Sequence, residues 1–161
     1  MTDPPNPLRA AMDARDPTMI EAALAADVVI RSPIFSAPLE GRELATEVFS
    51  VVYEVLGDVA YPLEVPGEPH LFAWRSDIGG EPVEGIDMFR RNDAGEVSEV
   101  TIYMRPLSGV AAFLQAAGRA LAVRRGGGRA LAIRSASFPV APLMKLTAKV
   151  GPRLLGTPPA S

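Results

Sequence analysis

One acid in this chain is placed where it could do chemistry. Asp87 lies in Glu84-Gly85-Ile86-Asp87-Met88-Phe89-Arg90-Arg91, a stretch of apolar and alternating residues that reads as a β-strand. An Asn92-Asp93-Ala94-Gly95 turn follows, with Gly95 supplying the positive φ of a short hairpin, and a second strand runs from Glu96 to Arg105. A carboxyl group beside Phe89 and Val100 loses hydration, so its pKa rises and the neutral acid can donate a hydrogen bond to a ligand oxygen. The bland alternatives are an ion pair with Arg90 or Arg91 and an inherited buried polar residue. His70, the only histidine, opens the preceding strand and reads as a structural or rim residue rather than a catalytic one. Trp74, the only tryptophan, has two placements open to it, a pocket wall and a dimer face.

The composition narrows the chemistry further. There is no cysteine, which excludes disulfides and thiolate catalysis. A single histidine leaves little room for a His-based metal cluster or a Ser-His-Asp triad. No metal and no organic cofactor is implied. With 161 residues, 48% apolar and 22% charged, the chain fits one globular domain with an appendage. Met1 to Asn6 lacks the basic and apolar regions of a secretory signal, and no apolar run reaches bilayer length, so a cytoplasmic location is expected. The charges segregate. Up to Glu99 the chain holds seven basic against 19 acidic residues, a balance of −12; beyond it stand nine basic residues and no acid. A basic tail with its own partner follows from that asymmetry.

The elements that must position Asp87 can be read in order. Asn6-Pro7 and Asp16-Pro17 are N-cap/N1 pairs, so two short helices start there, the second running to about Ala26 with Ile20, Ala23, Leu24 and Asp27 at helical spacing. Val28 to Ile30 is a short strand, and Pro38 to Glu43 a turn. A third helix spans about Arg42 to Leu56, with Leu44, Val48, Val51, Val52 and Val55 on one side and Gly57 as its stop. Strands follow over Tyr61–Val65, His70–Asp77, Glu81–Arg91 and Glu96–Arg105, the middle pair joined through Ile78-Gly79-Gly80. Val100, Ile102 and Met104 share one face of the last strand. Helices followed by antiparallel strands define an α+β domain. Ser108 caps a further helix carrying Val110, Phe113, Leu114, Ala117 and Leu121; after Gly126-Gly127-Gly128 a last helix begins at Pro142.

Three strings, in this order, carry a resemblance: Ala25-Ala26-Asp27-Val28-Val29-Ile30 with Ser32-Pro33; Glu40-Gly41-Arg42-Glu43; and Ile86-Asp87-Met88-Phe89-Arg90 with Asp93-Ala94-Gly95. Over about residues 6–107 the chain resembles the SnoaL-like, ketosteroid-isomerase-like branch of the nuclear transport factor 2 superfamily. The resemblance implies a cone-shaped, curved antiparallel sheet wrapped around the N-terminal helices (the cystatin-like α+β barrel), a mostly apolar pocket and a homodimer. Residues 1–107 would form the cone, and residues 108–161 a basic, largely helical extension.

The resemblance also implies a site. Asp87 matches the protonated acid of the isomerase oxyanion hole. Ser32 stands where the isomerases have their base, Leu8 about where they have a tyrosine, and Phe49 where they have another pocket tyrosine. A serine hydroxyl takes no proton from carbon near neutral pH without an activating group, so isomerisation by the family's route is not expected and Ser32 reads as inactive. Arg75 and Asp77 resemble part of the Asp-Arg-Asp set of the superfamily's epoxide hydrolases, but their place beside Gly79-Gly80 puts them at an exposed hairpin end. Phe49, Trp74, Phe89, Val100, Ile102 and Met104 would line the pocket.

Two functions from different classes remain. One is proton transfer or cyclisation on a small apolar, carbonyl-bearing compound of steroid or polyketide type, with Asp87 as the acid. The other is a non-catalytic ligand-binding or interaction domain that has lost the base. The basic tail is expected to pack across the cone mouth or on the acidic body. Membrane-surface contact comes second, and nucleic acid is not expected, because alanine, leucine and glycine separate the arginines.

Overall fold

A computed structural model describes residues 7–125. The chain begins with two helices, α1 (Pro7–Ala14) and α2 (Pro17–Ala23), then strands β1 (Leu24–Arg31) and β2 (Leu39–Glu40). Helix α3 (Arg42–Val55) leads into four further strands, β3 (Ala60–Val65), β4 (His70–Ile78), β5 (Glu81–Arg91) and β6 (Val97–Arg105), and helix α4 (Leu107–Arg125) follows. The architecture is α+β, a curved six-stranded sheet in the order β2-β1-β6-β5-β4-β3 with helices on its inner side. Every neighbouring pair is antiparallel except β1 and β6, which run parallel.

Local chemistry explains most of these boundaries. Asp16 accepts hydrogen bonds from the amides of Thr18 and Met19 and caps α2, with Pro17 at its first position. Helix α2 is shorter than its sequence spacing suggests. It stops at Ala23, because Leu24 is already extended and pairs with Val97 of β6. The run Leu24-Ala25-Ala26 favours neither period strongly, and burial of Leu24 and Ala25 against the sheet decides for the strand. Asp27 therefore sits exposed on β1 rather than on a helix stripe. The two-residue strand β2 lies where a turn was expected; its pairing with Val29 and Ile30 closes that edge.

In the β4–β5 hairpin Ile78 faces Glu81, leaving Gly79 and Gly80 as a two-residue loop with φ of 59° and 84°. Both central residues have the left-handed conformation of a type I′ turn, where glycine carries no Cβ penalty. Helix α4 begins one residue before the expected cap. The carbonyl of Pro106 accepts from the amide of Val110, and Ser108 is buried in the first turn.

The core fills the space between sheet and helices. Leu8, Ile20, Phe49, Phe72, Phe89 and Val100 are fully buried around its centre. Helix α3 is covered on more than one side: Ala45, Phe49 and Tyr53 join this core, while Val51 packs with Ala117 and Ala120 of α4. That second contact explains how a valine-rich segment stays helical, since packing outweighs its low propensity. Arg124 of α4 pairs with Glu54 of α3 at 2.7 Å, one direct contact between the basic C-terminal part and the acidic body. Among the described residues no helix is long and apolar enough to cross a membrane. The helix expected from Pro142 lies outside the described residues.

Candidate functional site

The inner face of the sheet and helix α3 enclose a cavity of about 50 Å³. Asp87 of β5 projects into it from strands that pair it with Phe72 on one side and Ile102 on the other. Its carboxyl is buried, and Oδ1 accepts a hydrogen bond of 2.9 Å from the indole Nε1 of Trp74. Among the described residues this is the only hydrogen bond to that carboxyl. The ion pair with Arg90 or Arg91 does not form, and Arg91 turns instead to Glu68. Burial pushes the Asp87 pKa from 3.8 up to about 7, against the opposing pull of the Trp74 hydrogen bond. Near neutral pH this group therefore exists in both forms, one able to donate a proton and one able to accept it.

Trp74 reaches Asp87 because Gly85 leaves room for it. Trp74 and Gly85 face each other across β4 and β5, and the indole lies over the glycine toward Asp87, two residues further along. A Cβ at Gly85 would stand 2.6 Å from Cζ2 of the indole and 2.4 Å from the carbonyl oxygen of Tyr103. No side chain fits there without displacing both the ring and the β6 backbone.

Two phenols complete the polar lining. Tyr53 comes from α3 and Tyr61 from β3, and both border the cavity. Burial, reinforced by the nearby Asp87, lifts Tyr53 well above its ordinary pKa. Tyr61 is pushed up to about 12, chiefly by burial, with the Arg9 guanidinium opposing. Both stay protonated at any physiological pH and can donate hydrogen bonds. Arg9 stacks on the Tyr61 ring, 3.2 Å from its centroid, and contacts Asp13 and Glu64. Glu64 in turn binds His70 Nε2 at 2.8 Å, while the His70 ring packs edge-on against Phe72. His70 thus belongs to a surface-linked structural network and does not line the cavity.

The remaining residues singled out from the sequence divide into two groups. Phe49, Trp74, Ile102 and Met104 line the cavity with Asp87. Phe89 and Val100 are fully buried in the core and do not line it. Ser32 reaches the cavity wall, where its Oγ accepts from the amide of Ile34 at 3.1 Å. Leu8 is core. Arg75 is exposed and paired with Glu84, and Asp77 accepts from the Gly80 amide at the hairpin turn. Neither is near Asp87 in the cavity lining. Among the described residues no cluster of histidine, aspartate and glutamate could hold a metal ion.

No protein-family model matches the sequence, and no curated protein does. Solved structures are more informative. A steroid delta-isomerase from Pseudomonas aeruginosa is 27% identical, with a TM-score of 0.69 over 72% of this chain and 87% of that one. A cystatin-like protein of Silicibacter pomeroyi is 23% identical, with a TM-score of 0.68 over 80% and 90% of the two chains. The fold is nuclear transport factor 2-like, of the kind found in ketosteroid isomerases. An epoxide hydrolase/cyclase-like enzyme, SalBIII, shares this fold at 13% identity, with a TM-score of 0.52 over 62% and 85% of the chains.

Leu8 and Phe49, which the resemblance matches with tyrosines, are apolar, while Tyr53 stands one helical turn beyond Phe49 and Tyr61 lines the same cavity from β3. Neither tyrosine was singled out from the sequence. The available signal was the Phe49–Tyr53 spacing of four, which places both on one side of α3.

Proposed function

We propose that this protein binds a small apolar carbonyl compound in the cone and catalyses proton transfer next to its carbonyl group. The observation carrying this reading is Asp87: a buried carboxyl, poised near neutrality, in an otherwise apolar cavity that also holds two protonated phenols. Asp87 in its ionised form takes a proton from the carbon beside the carbonyl. A phenol of Tyr53 or Tyr61 donates a hydrogen bond to the oxygen, where the electron pair arrives. The acid then returns the proton to carbon, and the enzyme is unchanged. In its neutral form Asp87 itself donates a hydrogen bond to ligand oxygen. Ser32 takes no part, since its oxygen serves the Ile34 amide and the histidine lies elsewhere.

The test is exchange of α-protons for deuterium in a small ketone such as 2-pentanone, followed by NMR in D₂O. The wild type should accelerate exchange, and Asp87→Asn should abolish the acceleration while the fold persists. Binding without any acceleration would favour the second reading, a ligand-binding domain without catalysis, which the missing base at Ser32 supports. A homodimer would use the outer face of the sheet, where Ile86 and Tyr103 face each other across β5 and β6 and are both exposed. Sedimentation of the wild type and of Tyr103→Arg would test that assignment. Helix α4 acts in this reading as a lid, since its Phe113 borders the cavity.

A further inference from the structure

The cavity around Asp87 is too small for a polycyclic ligand. Its volume of about 50 Å³ holds about four water molecules. That suits a carbonyl group and a few carbons. The larger space lies next door. A groove of about 300 Å³ runs between α3, α4 and the segment joining β1 to β2. The two spaces share Ser32, Val48, Val52 and Phe113 in their walls, so the Phe113 ring stands at the junction between them. Among the residues forming the groove Ser32 alone carries a polar side chain. Its far end is reached through Leu114, Gly118 and Leu121 on α4, and Phe35, more than half exposed, stands at its rim.

We propose that the ligand is a linear, long-chain aliphatic carbonyl compound, with its oxygen-bearing head at Asp87 and its hydrocarbon tail in the groove between α3 and α4. This rests on the reading of Asp87 and the phenols as the head-binding site. A compact head and a narrow, flexible tail match a small chamber that holds one carboxyl and two phenols and is divided from an apolar groove by a shared wall at Phe113. A rigid tetracycle would need its bulk where only about four water molecules fit. The head is uncharged, because a carboxylate would meet the ionised Asp87 without a cation in the cavity lining to offset it.

Trp74 makes the test direct, being the only tryptophan in the sequence and bonded to Asp87. Its fluorescence is followed as the full-length protein is titrated with 2-ketones from 2-pentanone to 2-dodecanone. Affinity should rise about four-fold for each methylene that leaves water, the equivalent of about 0.8 kcal/mol, until the groove is filled. Gly118→Leu, which fills the channel and also raises helix propensity, should collapse the ratio of dodecanone to pentanone affinity. A 5-ene-3-ketosteroid should not displace 2-dodecanone. An affinity flat with chain length, as expected if protein fills the groove instead, overturns the proposal, whether or not Gly118→Leu folds. So does an unchanged ratio in Gly118→Leu, or displacement by the steroid at lower concentration than by the ketone itself. If no ketone of any length perturbs Trp74, the head-binding reading fails first, and that outcome is separate from a flat series.

Discussion

The buried carboxyl gives the protein a specific dependence of stability on pH. Asp87 ionises near 3.8 when exposed in the unfolded chain and near 7 in the folded protein. Between those values the folded state holds a proton that the unfolded state has lost, so unfolding becomes easier as pH rises. The loss is complete once the folded pKa is passed. A rise from 3.8 to about 7 corresponds to about 4 kcal/mol at 1.36 kcal/mol for each tenfold. Asp87→Asn keeps the shape and cannot ionise. The stability difference between wild type and Asp87→Asn should therefore shift by about 4 kcal/mol in favour of asparagine between pH 3.5 and pH 8. Urea unfolding of both proteins at half-unit pH intervals, followed by far-ultraviolet circular dichroism, measures it. Trp74→Phe should move the midpoint of the wild-type loss to higher pH, because the indole hydrogen bond supports the ionised form. A difference between wild type and Asp87→Asn that does not change with pH would refute the reasoning.

Gly85→Ala should destabilise the fold by about 1–3 kcal/mol, the usual cost of overpacking, and shift Trp74 emission to the red as the ring leaves Asp87; an unchanged melt and spectrum would show that the indole has room to spare. Gly80→Val should cost about 1–2 kcal/mol by forcing a branched residue into the left-handed region, measured by chemical denaturation against wild type. The wild type should show no appreciable isomerisation of 5-ene-3-ketosteroids, followed by ultraviolet absorbance, because the cavity at Asp87 has no room for a tetracycle; rates like those of an authentic isomerase would refute that size argument. Truncation after Pro106 should lower the melting temperature and increase binding of a hydrophobic dye, because Trp74, Val51 and the cavity lose the cover of Ala112, Phe113 and Ala117; an unchanged melting temperature with salt-sensitive binding of the full chain to anionic vesicles would favour the membrane reading of the tail.

The sequence carried the architecture better than the site. Pattern and turn chemistry are local, and the type I′ glycines, the Asp16-Pro17 cap and the alternation in β4 to β6 are all properties of neighbouring residues. Helix α2 ended early because of a long-range partner, Val97, which no local window contains. The cavity followed the same division. Asp87 could be picked out because a carboxylate amid apolar strand residues is locally anomalous. Tyr53 could not, since an aromatic residue near the end of an amphipathic helix is ordinary until Tyr61 and Asp87 are brought beside it. Phe89 and Val100 share the inward face with Asp87 and Ile102, but where cavity gives way to solid core depends on how closely α1 and α3 approach the sheet. The charge segregation was plain in the sequence, while the contacts it makes, Arg124 with Glu54 and Arg105 with Glu84, needed the folded geometry.

The parallel pairing of β1 with β6 also has a consequence for synthesis. Arg31 and Glu99, joined by a salt bridge across that pairing, lie 68 residues apart in the chain. As the polypeptide leaves the ribosome, β1 has β2 beside it early, but its other edge must wait until β6 has emerged. The hairpins β3–β4 and β4–β5 close locally in the meantime and need no such delay. By sequence separation, the strand order favours an assembly in which the β3–β6 meander pairs before it receives β1. A nascent chain halted before residue 97 would hold Leu24, Val28 and Ile30 without their partner strand, with β1 presenting an open edge to any neighbour.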